Sequence, residues 1–227
     1  MATESTQDAL IDLNGVPADQ EANISVLTTP NGTILTNAGT TTDLKAFVKG
    51  NLNVVGGTVT NARFSFSTDP SSDLAPTLSF TGINFVGSQI QGTSANETVQ
   101  FGVGPSAAKS TNKTVATNTT SSLGSGADSV SFVKKSVVRD SSFNMGQGAD
   151  TVTFAKGSKN LNTTVDLGAR DGNADVVGVE KNASSKMLKI TNFGSNDTLT
   201  VGNKTYTYEQ IEGLNGKVNK NIQVDFG

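Results

Sequence analysis

Residues 124–132, GSGADSVSF, and residues 146–154, GQGADTVTF, carry one pattern twice. Two glycines and an acid are followed by apolar residues at alternate positions. The glycines supply a tight turn, the Asp orients backbone groups of that turn, and Val152 and Phe154 at i and i+2 face the same side of a strand. Weaker copies lie on either side: ANETVQF from Ala95, DGNADVVGV from Asp171 and FGSNDTLTV from Phe193. The acidic position falls at Glu97, Asp128, Asp150, Asp175 and Asp197, at intervals of 31, 22, 25 and 22 residues.

A turn feeding a strand with one apolar face cannot bury that face alone, so repeats of about 22 residues predict stacked coils. Stacking sets Val99, Val130, Val152, Val177 and Leu199 in one inward column, and Phe101, Phe132, Phe154, Val179 and Val201 in a second. Another phase lies between these strands: Phe143 and Met145, Val165 and Leu167, Ile190 and Phe193. Each coil therefore carries two apolar strand segments. Residues 104–122 hold a single large apolar residue, Val115, and read as an insertion that stretches the first interval to 31.

Upstream, period-two alternation marks half-buried strands in GTVTNARFSFS (Val59, Phe64, Phe66) and TLSFTGINF (Leu78, Phe80, Ile83, Phe85), separated by the loop STDPSSDLAP. An antiparallel region over 43–89 is the expectation, and it serves for attachment. Residues 1–42, polar and turn-rich, read as an extended N-terminal arm. Residues 205–227 read as a C-terminal cap, with a strand at 205–208 and a helical turn at 209–214 closing one exposed end. The fold class expected is thus all-β: the arm, the antiparallel region, and a short parallel solenoid over 90–204.

Composition agrees. The 227 residues include 30 Thr, 23 Ser, 22 Asn and 24 Gly but only two Tyr and no Trp, a usage that favours strands and turns over helices. The absence of Cys and His excludes disulfide scaffolds, thiolate zinc sites and histidine-based triads. A net charge of −3 without a basic stripe argues against nucleic acid as a partner. No stretch has the length of a membrane span, and MATESTQDALIDL shows neither a basic n-region nor an apolar h-region, so no membrane partner and no cleaved leader are expected.

Gly124, Gly126, Asp128 and Val130, with Gly146, Gly148, Asp150 and Val152, resemble the RTX family, whose glycine- and aspartate-rich nonapeptide repeats form calcium-loaded parallel β-rolls. TNFGSNDTLTVGNKTYTYEQIEGL is similar to the end of such arrays. The likeness covers residues 90–214 and implies calcium on Asp128, Asp150, Asp175 and Asp197. Departures are plain: one turn per coil keeps the motif, Asn173 and Ser195 replace the second glycine in later copies, and the Glu97 copy has none. Calcium takes six to eight oxygens, and this ladder supplies an incomplete cage. The competing reading, which weighs more, has each Asp capping turn amides with no ion required.

Asp166, Asp171 and Asp175 with Arg170 are the available carboxylates for a glycosidase or lyase, but they divide between a strand and a turn, and solvated turn residues explain them better. The expectation is a non-enzymatic protein with no required cofactor. It is most simply a phage virion protein, a capsid decoration, cement or appendage component at the virion surface. Its expected partners are capsid or other virion proteins and copies of itself, such as a trimer, with a host-surface glycan left open. The alternative is an exported RTX-like calcium-binding adhesive at the cell surface.

Overall fold

The computed structural model describes residues 9–12, 23–26, 33–36, 40–42, 44–48, 51–66, 75–103, 113–168 and 171–227. It is nearly all-β, a solenoid of stacked parallel coils. Among the described residues, one wall is a sheet of ten strands. Asn51–Val55, Thr77–Thr81, Thr98–Phe101, Ser129–Phe132, Thr151–Phe154, Val176–Val179 and Thr198–Val201 each pair in parallel with the next. Their registers align Val99, Val130, Val152, Val177 and Leu199, and Phe101, Phe132, Phe154, Val179 and Val201, in the two columns that the repeat predicts.

The second sheet, of fourteen strands among the described residues, begins as two parallel columns, one through Thr58–Thr60, Asn84–Val86 and Thr114–Thr117, the other through Lys45–Val48, Arg63–Phe66, Gln89–Gln91 and Thr120–Ser122. Both join the long strand Ser136–Asn144, and Lys159–Asp166 and Ser184–Phe193 continue it. The join keeps one corner. Asn61, Gly87, Asn118, Asp140, Asn162 and Met187 all have positive φ, so a left-handed residue turns each coil at the same place.

The core is a column of like side chains. Phe80, Phe101, Phe132 and Phe154 stack at centroid distances of 5.0, 5.3 and 4.8 Å, close to the roughly 4.8 Å between strands, so strand pairing and ring packing share one repeat. Phe64, Phe85 and Phe143 meet this column from the opposite wall.

Three expectations need correction. Residues 43–89 are not antiparallel: Lys45–Val48 pairs in parallel with Arg63–Phe66, and Asn51–Val55 with Thr77–Thr81. Period-two alternation reports a buried face and carries no direction. Asn51–Val55 is joined to Thr58–Thr60, and that strand to Arg63–Phe66, by left-handed corners at Gly56, Gly57 and Asn61 and not by hairpins, and these strands do not become neighbours. The solenoid consequently starts well before residue 90.

Within the presumed insertion 104–122, Thr114–Thr117 and Thr120–Ser122 are coil strands, and residues 104–112 lie outside the described residues. Their inward positions, Thr114, Ala116, Thr119 and Ser121, are small because the rings of Phe85, Phe101 and Phe143 already occupy the interior beside them. The arm is likewise no separate element where it is described. Ala9–Asp12 pairs with Thr33–Thr36, which pairs with Asn51–Val55; Asn23–Val26 and Thr40–Thr42 extend the second sheet; the remainder of 1–42 lies outside the described residues.

At the other end Lys204–Tyr206 turns back antiparallel on Thr198–Val201. A helix over Tyr208–Glu212 follows, opened by a capping box between Thr207 and Gln210, and Ile222–Phe226 continues the second sheet in parallel beside Ser184–Phe193, with Lys217–Asn219 antiparallel on its other side. Among the described residues no helix is long and apolar enough to cross a membrane.

Candidate functional site: the carboxyl ladder

Another corner of the coils holds the GxGxD turns, and at Gly146 and Gly148 it is packed without clearance. A Cβ on Gly146 would stand 1.9 Å from the Gly124 carbonyl oxygen, and one on Gly148 1.7 Å from that of Gly126. Glycine is required here by the backbone stacked beneath as well as by φ values of 100° and 132°.

Between these turns and the strands the acids stand in a column. Glu97, Asp128, Asp150, Asp175 and Asp197 are all buried. Each Asp reaches back one coil: its Oδ1 accepts the backbone N–H of the acid before it, at 2.7 Å for Asp128 on Glu97, 2.8 Å for Asp150 on Asp128, 2.8 Å for Asp175 on Asp150 and 2.9 Å for Asp197 on Asp175. The Asp thus ties coil to coil. Asp197 also caps its own turn, taking the Gly194 N–H on Oδ2 at 2.6 Å. Glu97, one methylene longer, reaches the N–H and hydroxyl of Thr93 in its own turn.

Burial pushes these acids up. The cost of removing a carboxylate from water, with Glu97 and Asp150 adding repulsion, raises Asp128 to about 8, and burial with repulsion from Asp197 and Asp150 raises Asp175 to about 7. Asp150 and Glu97 are raised for the same first reason. Glu97 Oε2, Asp128 Oδ2 and Asp150 Oδ2 are sealed and find no donor among the described residues. A carboxylate brings none, but a proton on Asp128 supplies one and turns the facing Glu97 and Asp128 carboxyls into a hydrogen-bonded pair.

The calcium ligands implied by the RTX resemblance therefore stand in line, but with one oxygen of every Asp committed to a backbone amide. Among the described residues no three acids gather in a geometry suited to a metal. Calcium needs six to eight oxygens converging on one point, whereas these acids stand in a line along the stack.

The other candidate carboxylates are also occupied. Asp166 Oδ1 accepts from Gly168 N and Asn192 Nδ2, and Asp171 accepts from Asn173 N and Gly148 N. Hydrogen bonds from Asn173 hold Asp171 below the usual carboxylate range. Arg170 lies outside the described residues.

The sequence reading missed a second ladder, of hydroxyls. Ser88 accepts from Ala62 N and Ser141 from Thr119 N, each also donating to a carbonyl two residues back in its own coil. Serine or threonine directly after the left-handed corner residue was the available signal. Comparison with protein families, with curated proteins and with solved structures finds no match to this chain.

Proposed function

We propose that this chain is a non-enzymatic structural protein of a virion surface, a capsid decoration, cement or appendage component that displays a stiff solenoid and associates with capsid proteins and with copies of itself. The observation that carries the reading is the employment of the acids: the buried carboxyls along the ladder are engaged in holding one coil to the next, so the residues best suited to chemistry serve the architecture. The shape supports it too, because a continuous parallel stack is rigid along its axis. Immunogold labelling of the particles that carry the chain tests the reading, with gold on the particle exterior as the expected result. Sedimentation of the purified chain tests self-association, and a stable monomer at high concentration removes that part.

One observation favours a second reading, an exported calcium-binding adhesive. Glu97 Oε2, Asp128 Oδ2 and Asp150 Oδ2 lack donors among the described residues, and a cation could answer them as a proton does. Circular dichroism melts in EGTA and in millimolar calcium separate the two. The virion reading expects the same β-spectrum and melting temperature in both, and a chain that folds only with calcium reverses the order.

A further inference from the structure

The third and fourth turns depart from the motif, and the departure leaves a cavity. Gly124 to Asp128 and Gly146 to Asp150 span equal lengths, but the stretch from Gly168 to Asp175 is three residues longer, and Asn173 and Ser195 stand where the earlier turns have glycine. The nesting ends within the third turn: a Cβ on Gly168 would still stand 1.6 Å from the Gly146 carbonyl oxygen, but one on Gly172 would meet nothing within 4 Å. Between them lies a cavity of about 260 Å³ lined by Asp171, Asn173, Asp175, Ser195, Asn196 and Tyr208, among others.

Its walls are held in place. Asn196 Nδ2 donates to the Gly172 carbonyl at 2.8 Å, and the Tyr208 ring packs on Phe226 at a centroid distance of 4.7 Å. Of the six carboxylate oxygens of Asp171, Asp175 and Asp197, five already accept a backbone N–H. The sixth, Asp175 Oδ2, has no partner among the described residues, on a side chain only 7% exposed that borders the cavity.

One free carboxyl oxygen does not make a metal cage. It suits a hydroxyl donor. The Ser195 hydroxyl and the amides of Asn173 and Asn196 supply mixed donors and acceptors, and Tyr208 adds an aromatic surface for C–H bonds. Three acids repel an anion. The volume lies just under the roughly 300 Å³ at which pockets for drug-sized ligands begin, which fits a single sugar ring.

We propose that this cavity binds one residue of a neutral glycan, with Asp175 Oδ2 accepting from a sugar hydroxyl and the Tyr208 ring lying against the sugar's C–H face. The proposal rests on the surface-display reading and gives it a ligand.

The test is saturation-transfer NMR on the full chain with the methyl glycosides of glucose, galactose, mannose and N-acetylglucosamine, with sialic acid and n-butylamine as anionic and cationic comparators. At least one neutral glycoside is expected to bind with a millimolar Kd. Asp175→Asn and Tyr208→Leu should each weaken it by about tenfold, the effect of one lost hydrogen bond or ring contact. Ser195→Phe, on an exposed turn, should block the cavity without touching the core. Met187→Ala, beside a different cavity, should leave binding unchanged.

No neutral glycoside bound at tens of millimolar, tighter binding of sialic acid or butylamine, or binding that survives Ser195→Phe each overturns the proposal. Particles labelled by antibody without glycoside binding remove the cavity's role alone. Glycoside binding with unlabelled particles removes the virion reading alone.

Discussion

The turns at 124–128 and 146–150 nest on one another at both glycines, whereas the third turn nests only at Gly168 and stands open at Gly172, and Gly194 of the fourth meets no neighbouring coil, although all four turns deliver an Asp to the same ladder. In the nested pair the glycines are pressed against carbonyls of the coil beneath, and no side chain fits. Beyond Gly168 the third and fourth turns are open: Gly172 has free space, Asn173 and Ser195 are tolerated, and a cavity forms. The difference separates two demands that the motif merges: the Asp is required by the ladder everywhere, the glycine only where turns touch.

The sharpest way to break this comparison is to place the same methyl group on both sides of it. Gly148→Ala should cost more than about 4 kcal/mol, because the new Cβ has no route away from the Gly126 carbonyl and the φ of 132° is itself unfavourable. A midpoint in urea within error of wild type would show that the nested turns can separate freely. Next in size, Phe132→Ala removes the ring between Phe101 and Phe154 and should cost about 3–5 kcal/mol by the same measurement.

Asp150→Ala tests the ladder itself. It leaves the Asp128 N–H buried without an acceptor and should cost about 1–3 kcal/mol, with faster amide exchange at Asp128 as the local signature.

The raised carboxyls make stability depend on pH. Asp128 near 8 and Asp175 near 7 bind protons in the folded chain that the unfolded chain releases near 4. Their contribution is complete below the unfolded value and is lost as pH rises through about 7 to 8. Thermal melts should therefore fall as the pH rises from about 5 to about 8 and level off above. Asp128→Asn keeps the acceptor for Glu97 N–H, offers the Glu97 carboxyl an amide donor in place of the proton, and should flatten that decline. The smallest effect belongs to the open turns: Gly172→Ala, with φ of 84° and nothing within 4 Å, should cost only about 1 kcal/mol in the same urea titration.

Much of the solenoid was legible from spacing. Alternation named the inward faces, and the repeat placed Val130 on Val152 and Phe132 on Phe154, because like residues at a fixed period can share a column only by stacking. The insertion was misread at Thr114–Thr117 and Thr120–Ser122 for want of apolar residues, whose space is taken by phenylalanines from other coils. The candidate site was half legible. The five acids were recognisable as a set, but a carboxylate four residues into a turn reads equally as a calcium ligand, a cap on its own turn or a link to another coil.

By itself, then, the sequence determined which residues face inward and which positions repeat, since both follow from local period and turn chemistry. Only the tertiary structure decided the direction of pairing over 43–89, because alternation is the same for parallel and antiparallel neighbours. It also decided what the acids bond. The N–H that each Asp accepts belongs to a residue 22 to 31 positions earlier, brought within reach only when the coils close on one another.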